Sequence, residues 1–306
     1  MRTWRARQLG LSVCLALAAL WCGQASAISI YDIQYTAAPA GDSPYNASIL
    51  ACDGGIVTHL FPGSRPRVIL YDPAHPNEWG AIQVKDATGD ATTSQFYSQV
   101  SIGDFVSLTG VYVEEYRGTT YLQYDPSAYG SSFSIDSTGN PVPAPILVSL
   151  AEISAPVEGP PGEWYVADHS AEKYESMYLM IQDVTVTAMD LGKALDNYNL
   201  AGLAGGDVIA GLADGNVWAS DYMNVALPPG DLYMPEVALG AGFGSVSGVL
   251  EQYTRTSNGW DYYQLLTTRS SDFGQREAAI PEPASVVLVL LGMAGLRRAR
   301  RLRARR

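Results

Sequence analysis

Apolar and polar positions alternate along this chain in short runs, almost everywhere with a period of two. Val, Ile, Tyr and Thr carry the alternation, and Gly, Asn, Asp and Pro end each run. Side chains two apart fall on one face of an extended strand, so such runs predict half-buried β-strands. SIYDIQY (29–35), GGIVTHLF (54–61), RVILYD (67–72), WGAIQVKD (79–86), DFVSLTGVYVEEY (104–116) and TTYLQYD (119–125) form one series. YLMIQDVTVTAMD (178–190), NVWASDY (216–222), FGSVSGVLEQY (243–253) and WDYYQLLTT (260–268) form a second. Between them Pro141, Pro143 and Pro145 alternate in a way no central strand tolerates, which predicts a connector over 137–150. AEISAP (151–156) adds a short helical turn at the start of the second unit. The expected fold is mainly β, in two parts covering 28–136 and 151–276.

The two parts share a pattern. Tyr45 opens YNASILACDGGIVT and Tyr174 opens YESMYLMIQDVTVT, with the closing Val-Thr equally distant in each. GVYVEEY (110–116) followed by TTYLQY also resembles GVLEQY (248–253) followed by WDYYQLL. Duplication of one unit accounts for both matches.

The ends have a different composition. Arg2, Arg5 and Arg7 precede the apolar LGLSVCLALAALWC, and Ala25-Ser26-Ala27 supplies small residues at the cleavage positions, so 1–27 reads as a secretory signal. At the other end IPEPASVVLVLLGMAGLRRARRLRARR (280–306) joins a Pro-Glu-Pro turn, an apolar run and seven arginines. The run from Ala284 to Leu296 is 13 residues, short of the roughly 20 that a spanning helix needs. Ten of the 19 Lys and Arg lie in these two ends, so the −12 of the whole chain conceals a body near −21. Such a body repels phosphate backbones unless a local basic patch overrides the field. No such patch is expected: Arg65 and Arg67 are a close pair, but nothing extends them. Cys14 and Cys22 belong to the signal, which leaves Cys52 without a partner for a disulfide. The fold must therefore rest on its apolar core, with Cys52 a small buried side chain between Ile49-Leu50 and Ile56-Val57.

Pro281-Glu282-Pro283, a short apolar helix and an Arg cluster, in that order over 277–306, resemble the PEP-CTERM sorting signal, also labelled an ice-binding-protein C-terminal domain. The resemblance implies an exosortase-type processing enzyme as partner and transient inner-membrane insertion through the C-terminal helix. Release to the cell surface or the extracellular matrix of a Gram-negative, exopolysaccharide-making bacterium would follow. No Thr-x-Thr array supports ice binding itself. In the body, the ordered string SIYDIQYT, SPY, GGIVTHLF, RVILYDP, EWGAIQVKD and VSIGDFVSLTGVYVEEYRGTTYLQ resembles the extracellular OB-fold modules of secreted bacterial proteins. These modules often stand beside nuclease domains. The Gly103-Asp104 turn and Gly110-Val111 are its most telling pieces. The second unit matches more loosely, because LGKALDNYNLAGLAGGDVIAGL departs from the usual strand spacing. The resemblance implies two tandem OB-like Greek-key barrels, with Gly110 and Gly248 placed for strand bends. It implies a binding surface and no chemistry.

Motifs for chemistry are sparse. GSVSG (244–248) puts Val246 where a nucleophile elbow needs serine, and GAGFGSVSG lacks the spacing of a dinucleotide loop. His75 has Asp72 and Glu78 nearby, but in a Pro-flanked turn without a second His or Cys at ligand spacing. His59 stands in a strand. Asp168-His169-Ser170 are sequence neighbours that cannot form a triad, and read as a cap before AEKYE. DATGDATTSQ (86–95) and DGN (214–216) lack the oxygen spacing of a calcium loop, although calcium stays open for so acidic a protein. No other cofactor is expected. The 19 tyrosines could stack sugars or bases, or simply follow from strand preference. The expectation is an exported, non-enzymatic surface or matrix protein with exopolysaccharide or matrix components as partners. The alternative is an extracellular nucleic-acid-binding module accessory to nucleases, which the net charge counts against.

Overall fold

In a computed structural model the first alternating series becomes six strands: β1 (Ile49–Phe61), β2 (Arg67–Tyr71), β3 (Ala81–Asp86), β4 (Phe105–Tyr116), β5 (Thr119–Tyr124) and β6 (Ser132–Ser137). The structure describes residues 27–37, 41–62, 65–153, 156–158, 164–166, 169–189, 198–202, 207–211, 239–267 and 270–275. The expected secretory signal up to Ser26, the strand expected over 216–222 and the expected sorting signal 277–306 lie outside the described residues. The chain divides into two compact units, 1–143 and 144–306.

The first unit is a closed five-stranded barrel. β1 pairs antiparallel with both β2 and β4, β2 with β3, and β4 with β5, while β3 runs parallel to β5 and completes the ring. β6 joins the first half of β4. The inward set Val57, Val68, Leu70, Ile82, Val84, Val106, Val111, Val113 and Leu122 is fully buried, as the period of two requires. At about 1.5–3 kcal/mol per side chain, this set is the main stabilising term.

Ring closure demands bends. Gly54 has φ +92°, and a Cβ there would stand 1.8 Å from the Val106 carbonyl oxygen. The β1–β4 register shifts on either side of Cys52, so the strand turns a corner where only glycine fits.

SIYDIQY is not a strand. Ile28, just before it, forms a parallel bridge to Cys52, and Ile30–Gln34 is one helical turn. Ser29 caps it: the Asp32 N–H donates to Ser29 Oγ (3.0 Å), and the Ser29 hydroxyl donates to the Asp32 carboxylate (2.7 Å). Ile30 and Ile33, three apart, both face the core and are wholly buried. Helical spacing of the isoleucines wins over the apparent alternation.

In the second unit the strands are β7 (Ile146–Leu147), β8 (Pro156–Glu158), β9 (Trp164–Val166), β10 (Tyr178–Met189), β11 (Tyr198–Gly202), β12 (Asp207–Gly211), β13 (Gly242–Arg255), β14 (Trp260–Leu266) and β15 (Phe273–Gln275). β7 stands inside the expected connector, pairing parallel to β10 just beyond Pro145, which stays outside the ladder. Within LGKALDNYNLAGLAGGDVIAGL the small-residue runs YNLAG and DVIAG are β11 and β12. AEISAP does begin with the expected turn, Leu150–Ile153.

The pairing of the second unit repeats that of the first, partner by partner and direction by direction. β10 pairs antiparallel with β11 and β13, β11 with β12, and β13 with β14, while β12 runs parallel to β14 and β15 joins β13. β1 and β10 open 129 residues apart, at Ile49 and Tyr178. The same spacing relates Ala47 to Ser176, both at φ 63°, and Gly54 to Asp183, both at positive φ. Val57 N–H donates to Asp104 O and Val186 N–H to Ala241 O, while Gly103 and Gly240 donate back to Val57 and Val186. Ser149 with Glu152 repeats the Ser29–Asp32 cap (2.8 Å between hydroxyl and carboxylate). The match of Gly110 with Gly248 is one residue out, because Gly248 opposes Leu179 as Val111 opposes Leu50.

Gly54→Ala is expected to cost more than about 2 kcal/mol, since the added carbon meets backbone. Gly130→Ala, also at positive φ but with no atom within 4 Å of the added carbon, costs about 1 kcal/mol. Urea unfolding of the two variants reads the difference.

Candidate functional site

The capped turn of the first unit meets the loop that follows β2, and aromatic side chains from both gather there. Asp72, one past β2, orders the loop. Its Oδ1 accepts from the Ala74 N–H (2.9 Å), and its Oδ2 holds His75 Nδ1 at 2.9 Å. The imidazole so held stacks on Tyr31, with ring centres 4.2 Å apart and planes at 21°. Tyr31 in turn stacks on Tyr35, one helical turn on, at 5.4 Å and 16°. Trp79 meets Tyr35 edge-on at 5.7 Å and 74°. Trp79 has φ 57°, a conformation that costs a bulky residue strain, and the next residue is Gly80, where a Cβ would fall 1.8 Å from the His75 carbonyl oxygen. Tyr35 is 44% exposed and the other three rings are half-buried. The result is a column of rings at the barrel end, with carboxylates at its rim, of a kind that stacks on apolar faces of ring-shaped ligands.

Among the described residues, the equivalent place in the second unit is open. Ala151 follows Leu150 as Tyr31 follows Ile30, and Gly202 stands where Asp72 does. A cavity of about 520 Å³ lies between Leu147, Leu150, Ala151, Ile181, Asp183 and Gly202.

Cations of the first unit also gather, which sequence distance hid. Antiparallel register sets Arg67 opposite Lys85, and the β4–β5 turn brings Tyr116 and Arg117 beside them. This corrects the expectation that nothing extends the Arg65–Arg67 pair. The cations are engaged rather than displayed. Arg67 donates to Gln83 Oε1 (2.7 Å) and Tyr121 Oη (3.2 Å), and is 4% exposed. Lys85 Nζ sits 3.5 Å over the Tyr121 ring and 4.2 Å over Tyr116, and Arg117 lies 4.9 Å over Tyr116.

The other sequence candidates are placed as follows. Cys52 is buried, and desolvation pushes its thiol up to about 12. His59 is buried with Nδ1 3.1 Å from Thr58 Oγ1. His169 does not cap the turn Glu172–Tyr174, which begins without a side-chain cap. Instead its Nε2 lies 3.4 Å from Asp261 Oδ2, with Gln252 bonded to the same carboxylate. Nearby, Tyr263 donates to Glu172 (2.9 Å), and burial together with that carboxylate pushes the phenol up. GSVSG lies in β13, with Val246 in the core. Among the described residues no three His, Cys, Asp or Glu side chains are grouped to hold a metal ion. Ala25, Asp168, the loop 214–216 and Pro281, Glu282 and Pro283 lie outside the described residues, while Ala27 is half-buried. No described helix is long and apolar enough to cross a membrane. Tyr31, Tyr35 and Trp79 were missed as a group. The four-residue spacing of the tyrosines was the available signal, readable only once the segment is seen as helical.

The loop 86–95 uses its carboxylates as staples. Asp86 accepts from the N–H groups of Thr88, Phe96 and Tyr97 (2.9, 2.7 and 2.9 Å). Asp90 accepts from the hydroxyls and N–H groups of Thr92 and Thr93, which hold its carboxyl down to about 2. A folded value below the unfolded 3.8 means that this contribution is present above 3.8 and lost as pH falls through about 2. NMR titration is expected to place Asp90 near 2, and to move it upward in Thr92→Val.

No family model matches the chain, and no curated protein matches it. Among solved structures, a chain from a replication protein A heterotrimer bound to ssDNA is similar at 9% identity and a TM-score of 0.25, covering 92% of this chain and 73% of its own. Neither fold nor function is read from so slight a likeness.

Proposed function

We propose that this is an exported, non-enzymatic surface or matrix protein that binds ligands through two OB-like barrels. The observation that carries the reading is the ring order, with the third and fifth strands parallel, found in both units. A five-stranded Greek-key barrel of this kind is a binding scaffold for oligosaccharides and oligonucleotides. In this reading the leader 1–27 directs export, and 277–306 is a PEP-CTERM-type tail. An exosortase-type enzyme handles that tail at Pro281-Glu282-Pro283 during transient inner-membrane insertion. The mature protein then stands at the surface or in the matrix of a Gram-negative bacterium, with exopolysaccharide as the natural neighbour of the exposed rings. Mass spectrometry of the protein from fractionated cells is expected to find an N-terminus at Ile28 and no arginine-rich tail. An intact Arg306 on surface-located protein would refute the sorting part.

A second reading has one observation in its favour. Arg67, Lys85, Tyr116 and Tyr121 lie on or beside the face of the second and third strands, which OB barrels use for oligonucleotides. Against it stand the body's charge and the engagement of these cations by rings. Titration with single-stranded DNA at low salt is expected to show no micromolar binding. Micromolar, salt-sensitive affinity would reverse the order of the two readings.

A further inference from the structure

We infer that the cavity beside β10 in the second unit binds a pyranose ring of a neutral or amino sugar, in the place that the first unit fills with its own Tyr31 and His75. The inference rests on reading the units as binding modules and is independent of the sorting route.

Three spacings align the sites. Val148 N–H donates to Met180 O as Ile28 N–H donates to Ala51 O, which equates 147–152 with 27–32. The common register of β1 and β10 equates Ile181, Gln182 and Asp183 with Cys52, Asp53 and Gly54. Pairing with the next strand equates Gly202 with Asp72. Every residue lining the cavity therefore has a known counterpart. In the first unit the distance between two of those counterparts is bridged by side chains: Tyr31 from the capped turn, and His75 held by Asp72, stacked at 4.2 Å. In the second unit Ala151 and Gly202 supply no such groups, and about 520 Å³ stays open among the described residues. That volume falls in the range of roughly 300–1,000 Å³ typical of small-molecule sites.

The first unit thus shows what shape the place accepts, namely stacked rings. The lining of the second selects the chemistry. Ile181 is wholly buried and Leu147 largely exposed, so they offer an apolar floor and an apolar edge to a C–H face. Asp183 and Gln182 are exposed at the rim, where they can accept and donate hydrogen bonds to ring hydroxyls. Glu152 is already engaged, with Ser149 donating to one oxygen and Tyr174 3.4 Å from the other. Among the described residues the lining holds no Lys or Arg, so there a phosphate or uronate meets only carboxylates. Asp183 also keeps a left-handed φ of 50° where the first unit has glycine, which places a carboxylate where the first unit has no side chain.

Saturation-transfer NMR on the full mature chain tests this, with methyl glucopyranoside, methyl glucosaminide and methyl glucuronide as probes. Saturable binding is expected for the first two, and at least tenfold weaker binding for the glucuronide. Ala151→Tyr, which restores the first unit's residue, should reduce glucoside binding at least tenfold. Asp183→Gly, which the φ of that position favours, should weaken the glucoside and narrow its advantage over the glucuronide. Absence of saturable binding, equal affinity for the glucuronide, or glucoside binding unchanged by Ala151→Tyr would each overturn the inference. None of these outcomes bears on whether the tail is removed.

Discussion

Each unit depends on one strand that must pair on both sides, and in the first unit that strand turns a corner. β1 gives one edge to β2 and the other to β4, and the two partners leave it in different directions. The corner brings the backbone of Gly54 so close to Val106 that no side chain can intervene. From this contact follows the closed ring, and from the ring follows an interior that aliphatic side chains fill without help from disulfides. The same strand recurs as β10, with a positive φ at Asp183 and pairings in the corresponding register. Positive φ at equivalent positions is harder to reach by chance than similar composition, because each such residue is disfavoured unless the backbone around it requires it.

A common frame lets chemistry diverge at low structural cost. Where the capped turn meets the end of the second strand, the first unit builds a ring column and the second leaves a cavity. Along the barrel wall, the first unit lays Lys85 between Tyr116 and Tyr121, and the second sets Gln264 beside Glu251 (2.7 Å) at a matching position. None of these changes touches the inward-facing set. Variation at the ends of strands and on outward faces, over a constant core, is what a binding scaffold permits.

Long apolar runs were legible. β1, β4, β10 and β13 each present enough alternating Val, Ile and Leu to be read without a structure, and the spacing from Tyr45 and Tyr174 to Val-Thr disclosed the repeat. Elements without an apolar stripe were not. β6 is Ser-rich and mostly exposed, and β11 and β12 are rich in Ala and Gly, so nothing in them alternates. SIYDIQY misled because isoleucines three apart, with a serine cap, mimic a strand over seven residues. The ring column and the cation cluster were hidden for another reason: both are made by register and by a loop, which bring together residues such as Tyr31 and His75, or Arg67 and Lys85, that are remote in sequence.

Amide hydrogen exchange on the folded chain tests the repeated ring most directly. Ala47, Val57 and Val113 donate backbone hydrogen bonds that close the first barrel, and Ser176, Val186 and Leu250 donate their counterparts in the second unit. The account predicts that both sets are protected, and that each residue resembles its counterpart. Protection of the first set with exchange of the second at unfolded rates would contradict it.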